Sequence, residues 1–197
     1  LIVTLVGRIL PSDELTGQVW SFGWEGAFEP VRILRGLRRP THACIADLNQ
    51  DGSNDLVVCS FGNHLGRLSW FPSMAAQRTN ETILSELPGS VRSLPYDWNS
   101  DGRTDLTVLR GQGREGADLY LNKGGGEFSM VTLWDDPPAW GNSFIVLADI
   151  DRDGRPEILV ANGDNGDFPC SPRPYHSIRV FSLNSELKAE LRFRFAT

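Results

Sequence analysis

Oxygen-bearing side chains recur at a fixed spacing in three nine-residue stretches of this chain. The stretches read D-L-N-Q-D-G-S-N-D at 47–55, D-W-N-S-D-G-R-T-D at 97–105 and D-I-D-R-D-G-R-P-E at 149–157. Each has an oxygen side chain at positions 1, 3, 5 and 9 and a glycine at position 6. Calcium takes six to eight oxygen ligands in a flexible geometry, and glycine permits the sharp turn that brings alternate side chains inward. The pattern therefore predicts three calcium-binding loops.

Two other families of calcium loops do not fit the residues that follow. An EF-hand or dockerin loop needs an acidic residue at position 12 and a helix on either side. Here position 12 is valine in all three copies, Val58, Val108 and Val160, inside β-type runs. Thrombospondin-like repeats are denser in Asp and Cys than this chain. A turn of Asp, Asn and Gly without a metal is the remaining alternative, and three copies in register favour the metal.

The composition fits an acidic metal-binding protein rather than a partner of nucleic acids. The net charge of the 197 residues is −6, while the three loops together hold ten carboxylates. One divalent cation in each loop would cancel this charge. The sequence has no basic stripe for nucleic acid and no apolar stretch long enough to cross a bilayer. The three cysteines, Cys44, Cys59 and Cys170, are predicted to be free thiols, although a Cys44–Cys59 disulfide is conceivable.

The similarity between the three copies extends well beyond the loops. Each loop is followed by an apolar run, a glycine-rich turn and two further strand-like segments, and the loops start about fifty residues apart. Four short strands per unit predict one antiparallel sheet per repeat. We therefore expect an all-β fold: a β-propeller region over 1–197 with approximate repeats 1–40 (partial), 41–90, 91–140 and 141–197. With about four blades' worth of strands and no initial Met, the chain is expected to be an arc of a larger propeller.

The segment 47–62 resembles the FG-GAP, or VCBS-type, repeat of calcium-binding β-propellers, which is similar to the units of integrin α-subunit heads. The resemblance covers three copies and one partial copy, and it implies which atoms bind calcium in each loop. Position 7 would contribute its backbone carbonyl and the other positions their side chains. The implied ligands are Asp47, Asn49, Asp51, Ser53 and Asp55; Asp97, Asn99, Asp101, Arg103 and Asp105; and Asp149, Asp151, Asp153, Arg155 and Glu157.

These observations predict a structural role for calcium in an exported protein. Extracellular modules bind calcium with dissociation constants of about 10⁻⁴ to 10⁻³ M, so their sites would be empty in the cytosol. We therefore expect an extracellular or periplasmic module that binds a protein or a polysaccharide at a cell surface. A propeller-type polysaccharide lyase or hydrolase and a purely architectural repeat are the alternatives. The three histidines lie in different repeats, and no catalytic spacing is visible.

Two further features are candidates for contact with a ligand. Trp24, Trp98 and Trp140 are predicted to lie in turns or loops, where an exposed aromatic ring could stack on a sugar. The third repeat also carries a long insertion at 163–176 that contains acids, an Arg, a Tyr and a His. Surface loops often carry recognition residues, but a decorated turn held by its prolines is the simpler interpretation of this insertion.

Overall fold

The computed structural model describes residues 1–23, 29–72, 80–163 and 173–196. These residues form fifteen β-strands and one short 3₁₀ turn at Pro138–Trp140. Trp24, Cys170 and most of the predicted insertion at 163–176 lie outside the described residues. The described part of the chain contains no helix long and apolar enough to cross a membrane.

The strands form four antiparallel sheets in chain order, three with four strands and the first with three. Sheet 1 contains β1 (Ile2–Leu5), β2 (Gly17–Phe22) and β3 (Pro30–Leu37). Sheet 2 contains β4 (Pro40–Ala46), β5 (Asp55–Ser60), β6 (Arg67–Phe71) and β7 (Thr82–Ser85). Sheet 3 contains β8 (Ser90–Tyr96), β9 (Asp105–Arg110), β10 (Gly116–Gly124) and β11 (Glu127–Asp135). Sheet 4 contains β12 (Asn142–Ala148), β13 (Glu157–Asn162), β14 (Ser177–Leu183) and β15 (Ala189–Ala196).

The run after each loop is apolar at nearly every position because its strand is buried on both faces. Successive side chains of a strand point to opposite sides of the sheet. In β5, Leu56 and Val58 pack with Val19 of sheet 1, whereas Val57 and Cys59 pack with the core that includes Leu106 of sheet 3. A third core joins sheets 3 and 4 in the same way. The core of this protein is therefore a series of layers between consecutive sheets.

The four sheets are arranged as an open arc. Strand β1 contacts β4, β4 contacts β8, and β8 contacts β12, so neighbouring sheets meet along the first strands of sheets 2 to 4. Thr41 in β4, for example, donates a hydrogen bond to the carbonyl of Val91 in β8 at 2.9 Å. No comparable interface joins sheet 1 to sheet 4 within the described residues. The predicted all-β fold, an arc of propeller-like sheets, is confirmed.

The prediction that Trp98 is available to a ligand is wrong. Its side chain is only 3% exposed and belongs to the core between sheets 3 and 4. The indole Nε1 donates a hydrogen bond to Thr107 Oγ1 at 2.8 Å, and Tyr96 packs edge-on against the ring. Ile145 and Ile158 of sheet 4 belong to the same core, so Trp98 is buried instead of meeting solvent.

Cys44 and Cys59 are free thiols: Cys59 belongs to the core between sheets 2 and 3, and the partly buried Cys44 packs against that core. Burial raises the pKa of Cys44 to about 11 and that of Cys59 to about 12, although Ser93 and Arg92 partly oppose the shift. Only the thiolate is an effective nucleophile. Both residues are therefore expected to react poorly with alkylating reagents in the native protein.

Alkylation of Cys44 and Cys59 with iodoacetamide near pH 8 is expected to be roughly a hundredfold slower in the native protein than in urea, because burial suppresses the thiolate. Peptide mass spectrometry would report each residue separately, with the unfolded chain as the control. Equal labelling rates in the two conditions would contradict the burial of these thiols.

Candidate metal centre

Each acidic loop connects the first and second strands of sheets 2, 3 and 4. The residue before the loop pairs with position 9, which is the first residue of the second strand. These pairs are Ala46–Asp55, Tyr96–Asp105 and Ala148–Glu157. The antiparallel register therefore places the two ends of every loop directly opposite each other on neighbouring strands.

The backbone of the three loops follows one conformation. Position 4 has a positive φ of 60°, 58° and 64° at Gln50, Ser100 and Arg152. Glycine at position 6 has φ of 82°, 80° and 91°. A Cβ atom added to any of these three glycines would meet nothing within 4 Å. The left-handed conformation, rather than lack of space, is therefore what favours glycine there.

The acidic side chains at positions 1 and 5 hold this conformation through backbone hydrogen bonds. An oxygen of position 1 accepts the glycine N–H at 2.8–3.0 Å in all three loops. An oxygen of position 5 accepts the N–H of position 7 at 2.8–2.9 Å. The position 7 residues are Ser53, Arg103 and Arg155, whose carbonyls the resemblance names as ligands. That ligand role stays a prediction.

The buried carboxylate at position 9 stabilises the loop from the first residue of the second strand. Asp55 and Asp105 are fully buried and Glu157 is 7% exposed. Each accepts the N–H of loop position 2 at 2.9–3.0 Å. Burial raises the pKa of Asp105, and the N–H groups of Asn122 and Trp98 oppose this increase. The carboxylate at position 9 therefore stabilises the loop backbone, and binding calcium would be an additional role.

The third loop brings three carboxylates together. Asp149, Asp151 and Asp153 are exposed, and one oxygen of each lies within 4.8 Å of the others. It is the only such acidic group of three in the part of the chain that the structure describes. Like charges at this separation repel one another, and a hard divalent cation with a preference for oxygen ligands would relieve the repulsion. The residues of this loop fit calcium.

The first and second loops differ from the third at position 3, which is asparagine. Asn49 Nδ2 donates to Asp51 Oδ2 at 3.0 Å, and Asn99 Nδ2 donates to Asp101 Oδ2 at 2.9 Å. The second loop also pairs Arg103 with Asp101. Although burial opposes it, hydrogen bonds from the Arg103 N–H and Asn99, together with the Arg103 charge, hold the pKa of Asp101 below its usual value. Position 3 of these two loops is therefore a neutral amide donor instead of a carboxylate, and Arg103 adds a positive charge in the second loop.

Sequence reasoning missed one residue that stabilises the loops, Asn122. Asn122, at 0% exposure, donates from Nδ2 to the carbonyl of Leu48 in the first loop at 2.8 Å. The same amide donates to the carbonyl of Thr104 in the second loop at 3.1 Å. The signal in the sequence was a polar residue directly after the apolar run 119–121 of β10. Its partner lies 74 residues away in the sequence.

The fold and the loops together define a repeat protein of antiparallel sheets, in which three sheets carry an acidic loop between their first two strands. Residues 97–160 match the family model described as FG-GAP-like repeat, which spans the second and third loops. This match covers about a third of the chain and shows an FG-GAP-like repeat at residues 97–160, as the resemblance implied. No curated protein and no solved structure matches the chain.

Proposed function

We propose that this protein is a calcium-stabilised repeat module in which each of the three loops binds one calcium ion. The ligands would be the fifteen residues that the resemblance implies, with positions 1, 3, 5 and 9 contributing side-chain oxygens. The observation that carries the proposal is the group of Asp149, Asp151 and Asp153 in a loop whose backbone conformation occurs three times. The FG-GAP-like match over two of the loops supports it.

Calcium would act by holding neighbouring sheets in place. The first and second loops lie where sheets 2 and 3 meet, since Gln50 Nε2 of the first loop donates to the carbonyl of Gly102 in the second at 3.0 Å. At a free calcium concentration ten times the dissociation constant, one site stabilises the native state by about 1.4 kcal/mol. Three sites would together contribute about 4 kcal/mol, a large part of the stability of a typical domain.

Calorimetric titration of the calcium-free protein tests this assignment. The wild type should bind three ions, and Asp51→Ala, Asp101→Ala and Asp153→Ala should each remove one site. Glu127→Ala serves as a control, because Glu127 is an exposed acid outside the loops. Unchanged stoichiometry in all three loop variants would refute the assignment.

A substitution in the third loop is predicted to change the stability of the protein in opposite directions in EDTA and in calcium. Asp151→Asn gives this loop the asparagine that the other two loops have at position 3. In EDTA the variant should be more stable than the wild type, by about 0.5 kcal/mol, because one repelling charge is replaced by an amide donor. In calcium it should be less stable, because a charged ligand is lost. Urea unfolding in both conditions would measure the two differences. Asn99→Ala is a useful comparison because it removes the corresponding amide donor from the second loop.

Destabilisation by Asp151→Asn in EDTA as well as in calcium would contradict this account of the third loop. It would mean that the carboxylate is needed for the fold itself and not for a cation. An equal stability gain in both conditions would mean that calcium does not use this side chain.

We further propose that the module is exported to an extracellular or periplasmic location and binds a protein or polysaccharide at a cell surface. The calcium affinity expected for such loops and the FG-GAP-like match support this setting. Retention of the protein on immobilised glycans and surface proteins, compared in calcium and in EDTA, tests the binding role. Turnover of a uronate polymer would favour a lyase instead. No retention and no turnover would favour an architectural repeat.

A further inference from the structure

A cavity of about 200 Å³ lies between sheets 1 and 2. It is lined by Gly36, Leu37, Arg38, Ser60, Arg67 and Glu81. The first three residues end the last strand of sheet 1 or follow it directly, and the other three lie in or directly before strands of sheet 2. The cavity therefore belongs to an interface inside the arc, between two sheets that are both present. We call it the sheet 1–2 cavity.

Two polar groups in the lining have no partner among the described residues. The Nε of Arg38 is buried and makes no hydrogen bond, and its guanidinium forms no ion pair with a described carboxylate. Ser60 is 2% exposed, and its hydroxyl makes no hydrogen bond within the described part of the chain. Buried polar groups are normally hydrogen-bonded. An arginine nitrogen and a hydroxyl without partners at one cavity therefore indicate a polar occupant.

The charged side chains of the lining do not balance. Arg67 pairs with Glu81 at 3.2 Å, and Glu81 also forms a hydrogen bond with the hydroxyl of Ser69 at 2.5 Å. Arg38 is a second cation, so two arginines and one glutamate leave a net charge of +1. One monovalent anion would cancel this charge. A guanidinium group matches a planar carboxylate particularly well, because two parallel N–H groups can donate to its two oxygens.

In the corresponding interface between sheets 3 and 4, a carboxylate of the chain itself binds an arginine. Asp136 is the first residue after the last strand of sheet 3, and its two oxygens accept hydrogen bonds from Arg179 at 2.7 Å. Arg38 is the first residue after the last strand of sheet 1. The sheet 1–2 cavity thus has a cation where the other interface has a carboxylate, and a carboxylate from a ligand would complete it.

We propose that the sheet 1–2 cavity binds one uronate unit, with the carboxylate of the sugar on Arg38. This inference rests on the polysaccharide-binding role proposed above. A cavity of about 200 Å³ equals the volume of about seven waters, which suits one small polar unit. Arg67 has five N–H donors and uses only Nη1 on Glu81, so it can also donate to the ligand. The Glu81 oxygens can each accept a further hydrogen bond from sugar hydroxyls, and Ser60 can donate one.

Calorimetric titration of the purified protein with glucuronate tests this site. Glucose is the neutral comparison, acetate supplies the carboxylate without the ring, and sulfate is an anion of another shape. The wild type should bind one glucuronate with a Kd of about 1 mM and the three comparison compounds at least about tenfold more weakly. Arg38→Gln should weaken glucuronate binding at least about tenfold, because it removes charged hydrogen bonds. Arg114→Gln is the control, since Arg114 is an exposed arginine of sheet 3 outside the cavity.

Thermal melts give a second measurement on the same proteins. Arg38→Gln should fold with an unchanged Tm in the absence of ligand, because the Arg38 side chain has no described polar partner to lose. Glucuronate should raise the Tm of the wild type and of Arg114→Gln, and it should leave the Tm of Arg38→Gln unchanged.

Equal affinity of the wild type and Arg38→Gln for glucuronate would overturn the proposal, and so would no binding up to about 50 mM. Acetate or sulfate binding as tightly as glucuronate would also overturn it, because the sugar ring would then contribute nothing. Equal retention of the wild type and Arg38→Gln on an immobilised uronate polymer would overturn this cavity as the site and leave the polysaccharide-binding role intact. Glucuronate binding that needs Arg38, without retention on any immobilised polymer, would support the cavity and refute only that role.

Discussion

Replacing Asp136 by alanine is expected to destabilise the protein by about 3–5 kcal/mol, the range for breaking a buried ion pair. Asp136 follows the last strand of sheet 3, and both of its oxygens accept hydrogen bonds from Arg179 of sheet 4 at 2.7 Å. The two side chains are only 5% and 4% exposed. Asp136 also accepts from Trp134 and Asn142 at 3.0 Å. Its loss would leave the Arg179 charge buried without its carboxylate.

Urea unfolding of Asp136→Ala measures this effect. Glu186→Ala is the matched control, because the pair between Glu186 and Lys188 is exposed on both sides and should contribute less than about 1 kcal/mol. The double variant Asp136→Leu with Arg179→Met should recover much of the loss, since apolar residues of similar volume remove the unpaired charge. A loss of less than 1 kcal/mol in Asp136→Ala would contradict the burial of this pair.

Asn122→Ala is expected to cost about 3 kcal/mol and to reduce calcium affinity in the first two loops. The substitution leaves the carbonyls of Leu48 and Thr104 and the N–H of Gly124 without their side-chain partner. An unsatisfied buried polar group costs about 1–3 kcal/mol. Because Asn122 donates to a backbone carbonyl in each of these loops, its loss would also position their calcium ligands less precisely.

Thermal unfolding in EDTA and calorimetric titration with calcium separate these two consequences. Asn184→Ala provides the comparison. Asn184 makes side-chain hydrogen bonds to Glu186, Lys188 and Glu190, but it lies in a more open turn and far from the loops in sequence. Asn184→Ala should therefore have a smaller effect on stability and none on calcium. Equal effects of the two variants would contradict the bridging role of Asn122.

The sequence predicted those features that short segments determine. Loop position and strand order follow from the spacing of acids, glycine and apolar runs, which are local patterns. The pairing of Ala46 with Asp55 across the loop follows from the same short segment. The all-β arc could be predicted because each repeat shows its own four-strand pattern, apart from the incomplete first one.

Contacts between sheets could not be predicted in this way. Arg179 and Asp136 are 43 residues apart, and no local pattern indicates that they meet. The position of Trp98 in a loop predicts an exposed ring, yet sheet 4 covers it. Leu48 and Ile150 occupy that same position and are 1% and 52% exposed. The exposure of the residue at loop position 2 therefore depends on whether a neighbouring sheet packs over it. The sequence of one repeat does not contain that information.

The most direct test of the calcium proposal is a thermal melt of the purified chain, titrated with calcium and compared with EDTA. Three occupied loops that contribute about 4 kcal/mol predict a rise in Tm of about 10 °C that saturates near millimolar calcium. Magnesium should produce a smaller shift, because it demands a smaller and more regular ligand shell. A cooperative transition at the same Tm in calcium and in EDTA would contradict the account, because the loops would then be turns that hold no ion.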